Sequence, residues 1–497
     1  MATATRDVLI ARNPATGAKI GEVSLSPPDA VAQFVNRARE AQSRWDLAGW
    51  KVRRAVLRRW WQILARDADA WADLIRSEVG KPFSEALAGD VVATLDGIRW
   101  TIRHAGRVLA GTRYGPGSQR FLLVPTGHMV QRPFGVVGII GTWNYPLFLN
   151  ALPIAQALAA GNAVVWKPSE LTPLSGWTLQ KSLDEAGFPD GLVSAVFGGP
   201  EVGRALVEAS IDKAMFTGGV TNGRRVIEAL AARGIPAVAE LSGFDPAIVL
   251  PDAPFEATVK ALTWGIFLNA GQTCVGIKRI YVVGDPTRWA EALATAARAL
   301  RIGDPANEDI DLGPLISNAA RDRFEGFIRA AIDAGAKLIT GGEPIEGVGS
   351  FHAPTVLTAY DAAPETRLAG VFGPVVIVRG LPDVASAIAA ANASEYGLAA
   401  SVWSKDTRAA KAIAARLDAG MVTVNDAVTP TMHASAPFGG TKASGYGRSH
   451  GPQGLLEFTQ PKVVFSRRAG GFRPNLYPYG TGPVRFFLHA YMKLFRG

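Results

Sequence analysis

The rhythm of hydrophobic and polar positions changes along the chain, and each change marks a different kind of element. Residues 28–48 and 51–78 mix apolar and charged positions at helical spacing, as in Val52, Val56, Trp60 and Ile63 beside Arg53, Arg54, Arg58 and Arg59. This predicts surface helices with one face turned to a core. From about residue 120 the apolar residues gather instead into short strand-like runs, such as RFLLV and GVVGII. Such runs then alternate with helical stretches: AVVWKP before 173–186, SAVFGG before 200–209, KAMFTGG before 221–233 and AIVL before 255–269. Strands alternating with helices predict βαβ units and a parallel sheet. A second series, from KRIYVVG (278–284) through GMVTVND (420–426), predicts another α/β domain. The run Pro133–Trp166 carries no charge, but Pro146, Pro153, glycines and asparagines interrupt it, so it reads as strand, turn and buried helix. Residues 469–483, AGGFRPNLYPYGTGP, read as a linker.

A length of 497 residues predicts two to four domains, and 48% hydrophobic against 19% charged residues excludes a disordered chain. The formal net charge is +9, and the last 37 residues hold seven basic side chains and no acidic one. The basic excess is therefore mostly a property of the tail, and no nucleic acid partner is expected. One cysteine, Cys274, excludes an intramolecular disulfide framework and any cysteine-cluster metal site, and suits a reducing compartment. No metal is expected. The N-terminal MATATRDVLIARNP lacks a signal-type apolar run, so the expected location is cytoplasmic.

Three residues carry candidate chemistry. Cys274 sits in NAGQTCVG, where polar and turn-forming neighbours offer the thiol at a loop; a lone cysteine is otherwise an inert small hydrophobe. Glu240 follows a short apolar strand in AVAELSGFDP, and is either a solvated loop carboxylate or a base that takes a proton from water. Asn144 lies in the turn after GVVGII, as an ordinary cap or as an amide donor to an oxyanion.

These segments, with NPATG (13–17), WKPSE, FTGG, VFGPV, EYGLAASVWSKD and PFGGTKASGYGR (437–448), occur in an order that resembles the aldehyde dehydrogenase superfamily over nearly the whole chain. The resemblance implies an α/β fold: a Rossmann-like cofactor domain from 1–115 and 137–239, an α/β catalytic domain from 240–450, and a β-arm from 116–136 and 451–468 for oligomerisation. A linker and C-terminal helix would follow in 469–497. It implies that Cys274 attacks an aldehyde, that the Asn144 amide holds the oxyanion, and that Glu240 activates water to release a carboxylic acid from the thioester.

By the same carry-over, the cofactor is NAD, with NADP open, and contacts Trp143, Lys167, Glu170, Gly218, Gly219, Gly223, Leu241 and Phe372. The Glu170 carboxylate would repel a 2′-phosphate. Two positions depart from the family pattern: Gly219 replaces a serine and Gly370 replaces a glutamate that holds the nicotinamide ribose. The substrate tunnel is expected to use Tyr145, Leu149, Leu152, Val275, Met432 and Phe438. That set predicts apolar aliphatic or aromatic aldehydes. Alternatives are a CoA-acylating enzyme, which in this family generally lacks a glutamate at the position of Glu240, and a non-catalytic, membrane-associated protein that keeps the fold.

Beyond the family's shared length, Val484, Phe487, Leu488, Tyr491, Met492 and Phe495 recur at helical spacing, with Arg485, His489, Lys493 and Arg496 on another side. This predicts a basic amphipathic helix over 484–496 that either packs on protein or rests on an anionic lipid surface.

Overall fold

A computed structural model describes residues 7–115, 125–467, 482–493 and 495. The run RFLLV at 120–124 and the linker at 469–481 lie outside the described residues. The N-terminal helical pattern resolves into three helices, Val31–Leu47, Gly49–Arg66 and Ala68–Val79. The expected single helix over 51–78 is broken at Asp67, whose φ of −97° and ψ of 20° leave the helical region. The buried face of Gly49–Arg66 is Arg53, Val56, Leu57, Trp60 and Leu64, while Val52 is exposed. An arginine can occupy that face because its stem packs on apolar neighbours while its guanidinium reaches the Asp46 carboxylate at 3.6 Å.

The first sheet has six strands, in the spatial order Gly445–Tyr446, Ala237–Leu241, Lys213–Gly218, Val136–Ile140, Ala163–Lys167 and Val193–Ala195. All its pairings are parallel except that of Gly445–Tyr446 with Ala237–Leu241. The uncharged run becomes the strand Val136–Ile140, the helix Phe148–Ala160 and the strand Ala163–Lys167. The strand order reverses between Val136–Ile140 and Lys213–Gly218, so the carboxyl ends of these two strands open the crevice where α/β sheets bind ligands.

The second sheet has seven strands: Lys337–Thr340, Thr355–Thr358, Val375–Leu381, Ile277–Val283, Asp245–Val249, Ala399–Trp403 and Met421–Val424. A three-stranded arm pairs Thr459–Ser466 with Thr126–Pro133, and Thr126–Pro133 with Thr112–Tyr114. Two expected boundaries shift. Gly445–Tyr446, placed by sequence with the second domain, closes an edge of the first sheet because the chain crosses back and pairs Gly445 with Glu240. Thr112–Tyr114, placed with the first domain, hydrogen-bonds into the arm.

The C-terminal helix runs Gly482–Lys493, two residues earlier at its start than the periodicity indicates, with Pro483 in the first turn where its missing N–H costs nothing. No helix among the described residues is long and apolar enough to cross a membrane.

Candidate active site

Cys274 follows a backbone segment that few sequences would tolerate. Asn269, Ala270 and Gly271 have φ of 54°, 52° and 68°, three successive residues in the left-handed region. At Gly271 no side chain fits, since a Cβ would lie 2.1 Å from the Gly373 carbonyl oxygen. Such a conformation persists only where the surroundings hold it. The Asn269 amide donates to Glu85 Oε2 at 2.9 Å, the Ile316 amide donates to Gln272 Oε1 at 2.8 Å, and the Lys278 ammonium donates to the carbonyls of Gly271 (2.8 Å) and Gly373 (2.6 Å). The thiol is thus fixed at a loop tip. Burial pushes its pKa up to about 12, and the carboxylates of Asp245 and Glu240 add to the rise. The resting form of Cys274 is therefore the neutral thiol.

Asn144 reaches the same loop from the crevice end of the first sheet. Thr142 Oγ1 donates to Asn144 Oδ1 at 3.0 Å, which turns the amide nitrogen toward the Cys274 loop. There Nδ2 donates to the Gln272 carbonyl at 3.0 Å with one hydrogen and keeps the other. The Asn144 carbonyl is held by Lys81 Nζ at 2.7 Å and by Asn269 Nδ2 at 3.2 Å. Lys81 is fully buried, pairs with Asp90 at 2.9 Å and lies 3.8 Å from the Tyr145 ring centroid. Asp90 also accepts from the Leu147 and Phe148 amides, tying this cluster to the start of the helix Phe148–Ala160. Glu240, on the strand Ala237–Leu241, is 4% exposed and its Oε1 has no hydrogen-bond partner. Burial raises its pKa to about 7, against the opposing pull of the Ser449 hydroxyl and Arg448. A carboxyl poised there exchanges a proton near neutrality, becoming the basic form as pH rises through about 7.

Two cavities meet at the thiol. The first, about 240 Å³, is lined by Cys274, Glu240 and Asn144 together with Trp143, Gly218, Gly219, Leu241, Gly370 and Phe372. The second, about 210 Å³, is lined by Cys274 with Tyr145, Leu149, Val275, Met432 and Phe438 among others. Leu149 and Phe438 border both. The first cavity lies in the strand-order crevice and has the features a dinucleotide needs. Gly219 opens the helix Val220–Ala231, no atom lies within 4 Å of where its Cβ would be, and so phosphate oxygens can approach the helix N-terminus. Trp143 and Phe372 form an edge-to-face pair 5.5 Å apart on its wall, an apolar corner against which a ring can pack. Gly370 has φ of +84°, a conformation that a side chain adopts only with strain.

Other sequence-chosen residues sit elsewhere. Lys167 and Glu170 form an ion pair of 2.8 Å at the end of the neighbouring strand, outside the lining of either cavity. Gly223 faces the sheet: a Cβ there would lie 2.4 Å from Leu241 Cδ2, so its glycine serves close helix packing. Leu152, expected in the tunnel, is absent from the cavity walls. It is buried against Gly97, where an added Cβ would meet Leu152 Cδ1 at 2.9 Å, because the helix Phe148–Ala160 is buried on every side and Leu152 falls on the side facing the helix Ala93–Val108. Sequence reasoning missed Lys81, Glu85, Lys278 and His450. Lys81 had one visible signal, a lone cation between Gly80 and Pro82 after an amphipathic helix. His450 had none.

Comparison with known proteins bears directly on this arrangement. The family model described as "Aldehyde dehydrogenase family" matches residues 2–464. A 4,4'-diapolycopene aldehyde oxidase of Methylomonas sp. is 34% identical over 483 residues, covering 96% of this chain and 90% of that protein. Betaine aldehyde dehydrogenase of Cereibacter sphaeroides is 36% identical over 456 residues, covering 91% and 92%. The solved structure of a Mycobacterium tuberculosis aldehyde dehydrogenase complexed with NAD+ superposes with a TM-score of 0.88 at 34% identity, covering 94% of this chain and 96% of that one. The chain therefore belongs to the aldehyde dehydrogenase family and oxidises an aldehyde to the acid with NAD(P).

Proposed function

We propose that Cys274 is the nucleophile, Asn144 the oxyanion donor and Glu240 the hydrolytic base, and that the substrate is an apolar aliphatic or aromatic aldehyde. The observation that carries this reading is the meeting of two cavities at one thiol, with Glu240 and Asn144 on the same wall. As the sulfur bonds to the aldehyde carbon, the thiol proton passes to the Glu240 carboxylate in the same cavity, which releases it to solvent before the hydrolytic step; the carbonyl electron pair moves onto oxygen, where the free hydrogen of Asn144 Nδ2 stabilises it. Bound NAD(P) supplies the hydride acceptor. The resulting thioester is opened by water, whose proton passes to Glu240, and the C–S bond breaks to return Cys274. A base in that position favours release to water over release to CoA. Trp143, Phe372 and the Gly218–Gly219 turn would hold the cofactor. The choice of NAD over NADP rests on the Glu170 carboxylate, which lies beyond the first cavity at the end of the neighbouring strand, where the adenosine end of a cofactor extending from that cavity would meet it and a 2′-phosphate would be repelled.

The second cavity supports the substrate assignment because its one lysine, Lys81, is already consumed by Asp90 and the Asn144 carbonyl. Among the described residues no buried cation remains there for a carboxylate tail, whereas each methylene buried against the walls contributes about 0.8 kcal/mol. Benzaldehyde or a medium-chain alkanal is expected to exceed succinic semialdehyde in kcat/KM, read as NADH absorbance, with the free acid formed at the same rate with or without CoA. Equal or better efficiency with succinic semialdehyde overturns the substrate assignment.

We also propose a cytoplasmic homo-oligomer joined through the β-arm, whose strand Thr459–Ser466 exposes Val463, Val464 and Phe465. The helix Gly482–Lys493 would touch anionic lipid: Leu488, Met492 and Phe495 are exposed near Arg485 and Lys493. The intact protein is expected to co-sediment with anionic vesicles and a truncation after Arg473 to stay in solution. Equal sedimentation of the two would leave the helix with a packing role only.

A further inference from the structure

The second cavity is apolar but for a few polar groups, and the buried ones are nearly all engaged. Lys81 is bound by Asp90 and Asn144, Tyr145 and Thr273 share a hydrogen bond of 2.8 Å, and Thr431 donates to the Val428 carbonyl. His450 differs. It is 3% exposed and lines the cavity, and no hydrogen bond to either ring nitrogen exists among the described residues: Nδ1 is closed off by its neighbours, whereas Nε2 keeps accessible surface. A buried polar group left unpaired is costly, which makes it a place to expect a ligand.

The ring is held firmly. It stacks on Phe438 with centroids 5.5 Å apart and planes 25° apart, and lies 5.2 Å from the ring of Phe148. Its backbone carbonyl accepts from the Gly454 amide at 2.9 Å, so the start of the helix Gly451–Leu456 fixes its base. Because Phe438 borders both cavities, the imidazole is one ring removed from the chamber that holds Glu240.

We propose that His450 is a specificity-determining residue that hydrogen-bonds a hydroxyl group on the ring of an aromatic aldehyde. This rests on the assignment of the second cavity to the aldehyde. Burial draws the imidazole pKa down to about 4, so at neutral pH it is uncharged, with one nitrogen donating and the other accepting. Only Nε2 is open to a ligand, and a hydroxyl can answer it whether it donates or accepts, while a neutral imidazole gives a carboxylate no countercharge. The walls suit a ring: Tyr145, Phe148, Phe438 and Trp264 surround the space. A cavity of roughly 150 Å³ accepts benzene, and this one, at about 210 Å³, has room for a ring with substituents.

The test compares kcat/KM for benzaldehyde and its 2-, 3- and 4-hydroxy derivatives in the wild type, His450→Phe and His450→Asn. One hydroxy isomer is expected to exceed benzaldehyde by roughly tenfold in the wild type, the scale of one neutral hydrogen bond in a dry site. The ratio should fall to about one in His450→Phe, which keeps an aromatic ring for the stack, and return in part in His450→Asn. Binding of acetophenone and its hydroxy derivatives, which cannot be oxidised, reads the same ratio by calorimetry without turnover. A wild type that treats every hydroxy isomer like its parent, in rate or in binding, overturns the proposal whether or not the variants fold. A ratio unchanged in His450→Phe overturns it too. Failure of benzaldehyde to turn over while the ketone ratio holds would strike the aldehyde assignment and leave His450 as the hydroxyl reader.

Discussion

Cys274→Ala is expected to abolish aldehyde oxidation, lowering turnover by at least about 10⁴-fold, the scale on which a covalent mechanism collapses when its nucleophile goes. The chain has no second cysteine to substitute for it. Its loop leaves nothing else in reach, since Thr273 Oγ1 is bound to the Tyr145 hydroxyl and Gln272 is locked by Asn269, Pro314 and Ile316. Hydrolysis of an activated ester should vanish in parallel, because it uses the same thiol without the hydride step. The side-chain change is small and the backbone strain at Asn269, Ala270 and Gly271 is held by other contacts, so the variant should fold. Circular dichroism and NADH formation together check this. A folded variant that keeps more than about 1% of the rate would remove Cys274 from the mechanism.

The largest effect on stability is expected from Lys81→Met. Both partners of the Lys81–Asp90 pair are completely buried, and the ammonium opposes the desolvation that raises the Asp90 pKa. Removing the cation strands a carboxylate among apolar side chains, which typically costs about 3–5 kcal/mol. Activity should fall as well, since the Asn144 carbonyl loses its 2.7 Å anchor. Denaturant unfolding of the single variant beside Lys81→Met with Asp90→Leu separates the two effects. The double variant should regain much of the stability, because the orphaned charge is gone, but not the activity. A single variant within about 1 kcal/mol of the wild type would show that Asp90 is neutral or solvated in the fold.

What sequence could read here follows from where each residue gets its meaning. Cys274, Glu240 and Asn144 sit at strand ends and turns, and short motifs flanking them carry the signal. The strand–helix alternation likewise exposed both sheets, because buried parallel strands are continuous apolar runs. The pairing of Gly445 with Glu240 was hidden, since two-residue strands have no period and their partner lies some two hundred residues away. Leu149 and Leu152 show a different limit. In a helix buried all round, periodicity marks no face, and only the packing against Gly97 separates the one at the cavity from the one in the core. Lys81 and His450 are polar residues whose roles come entirely from tertiary neighbours: an aspartate and a carbonyl for one, two phenylalanine rings for the other.

Lys278 Nζ acts as a rivet between two loops that each border the first cavity. One carbonyl it grips belongs to Gly271, three residues before Cys274, and the other to Gly373, next to Phe372 on the wall of the first cavity. The sulfur and the surface that would seat the nicotinamide are therefore parts of one stiff frame, and a push on either side is carried to the other. The placement of the sulfur relative to that wall is thereby set when the chain folds.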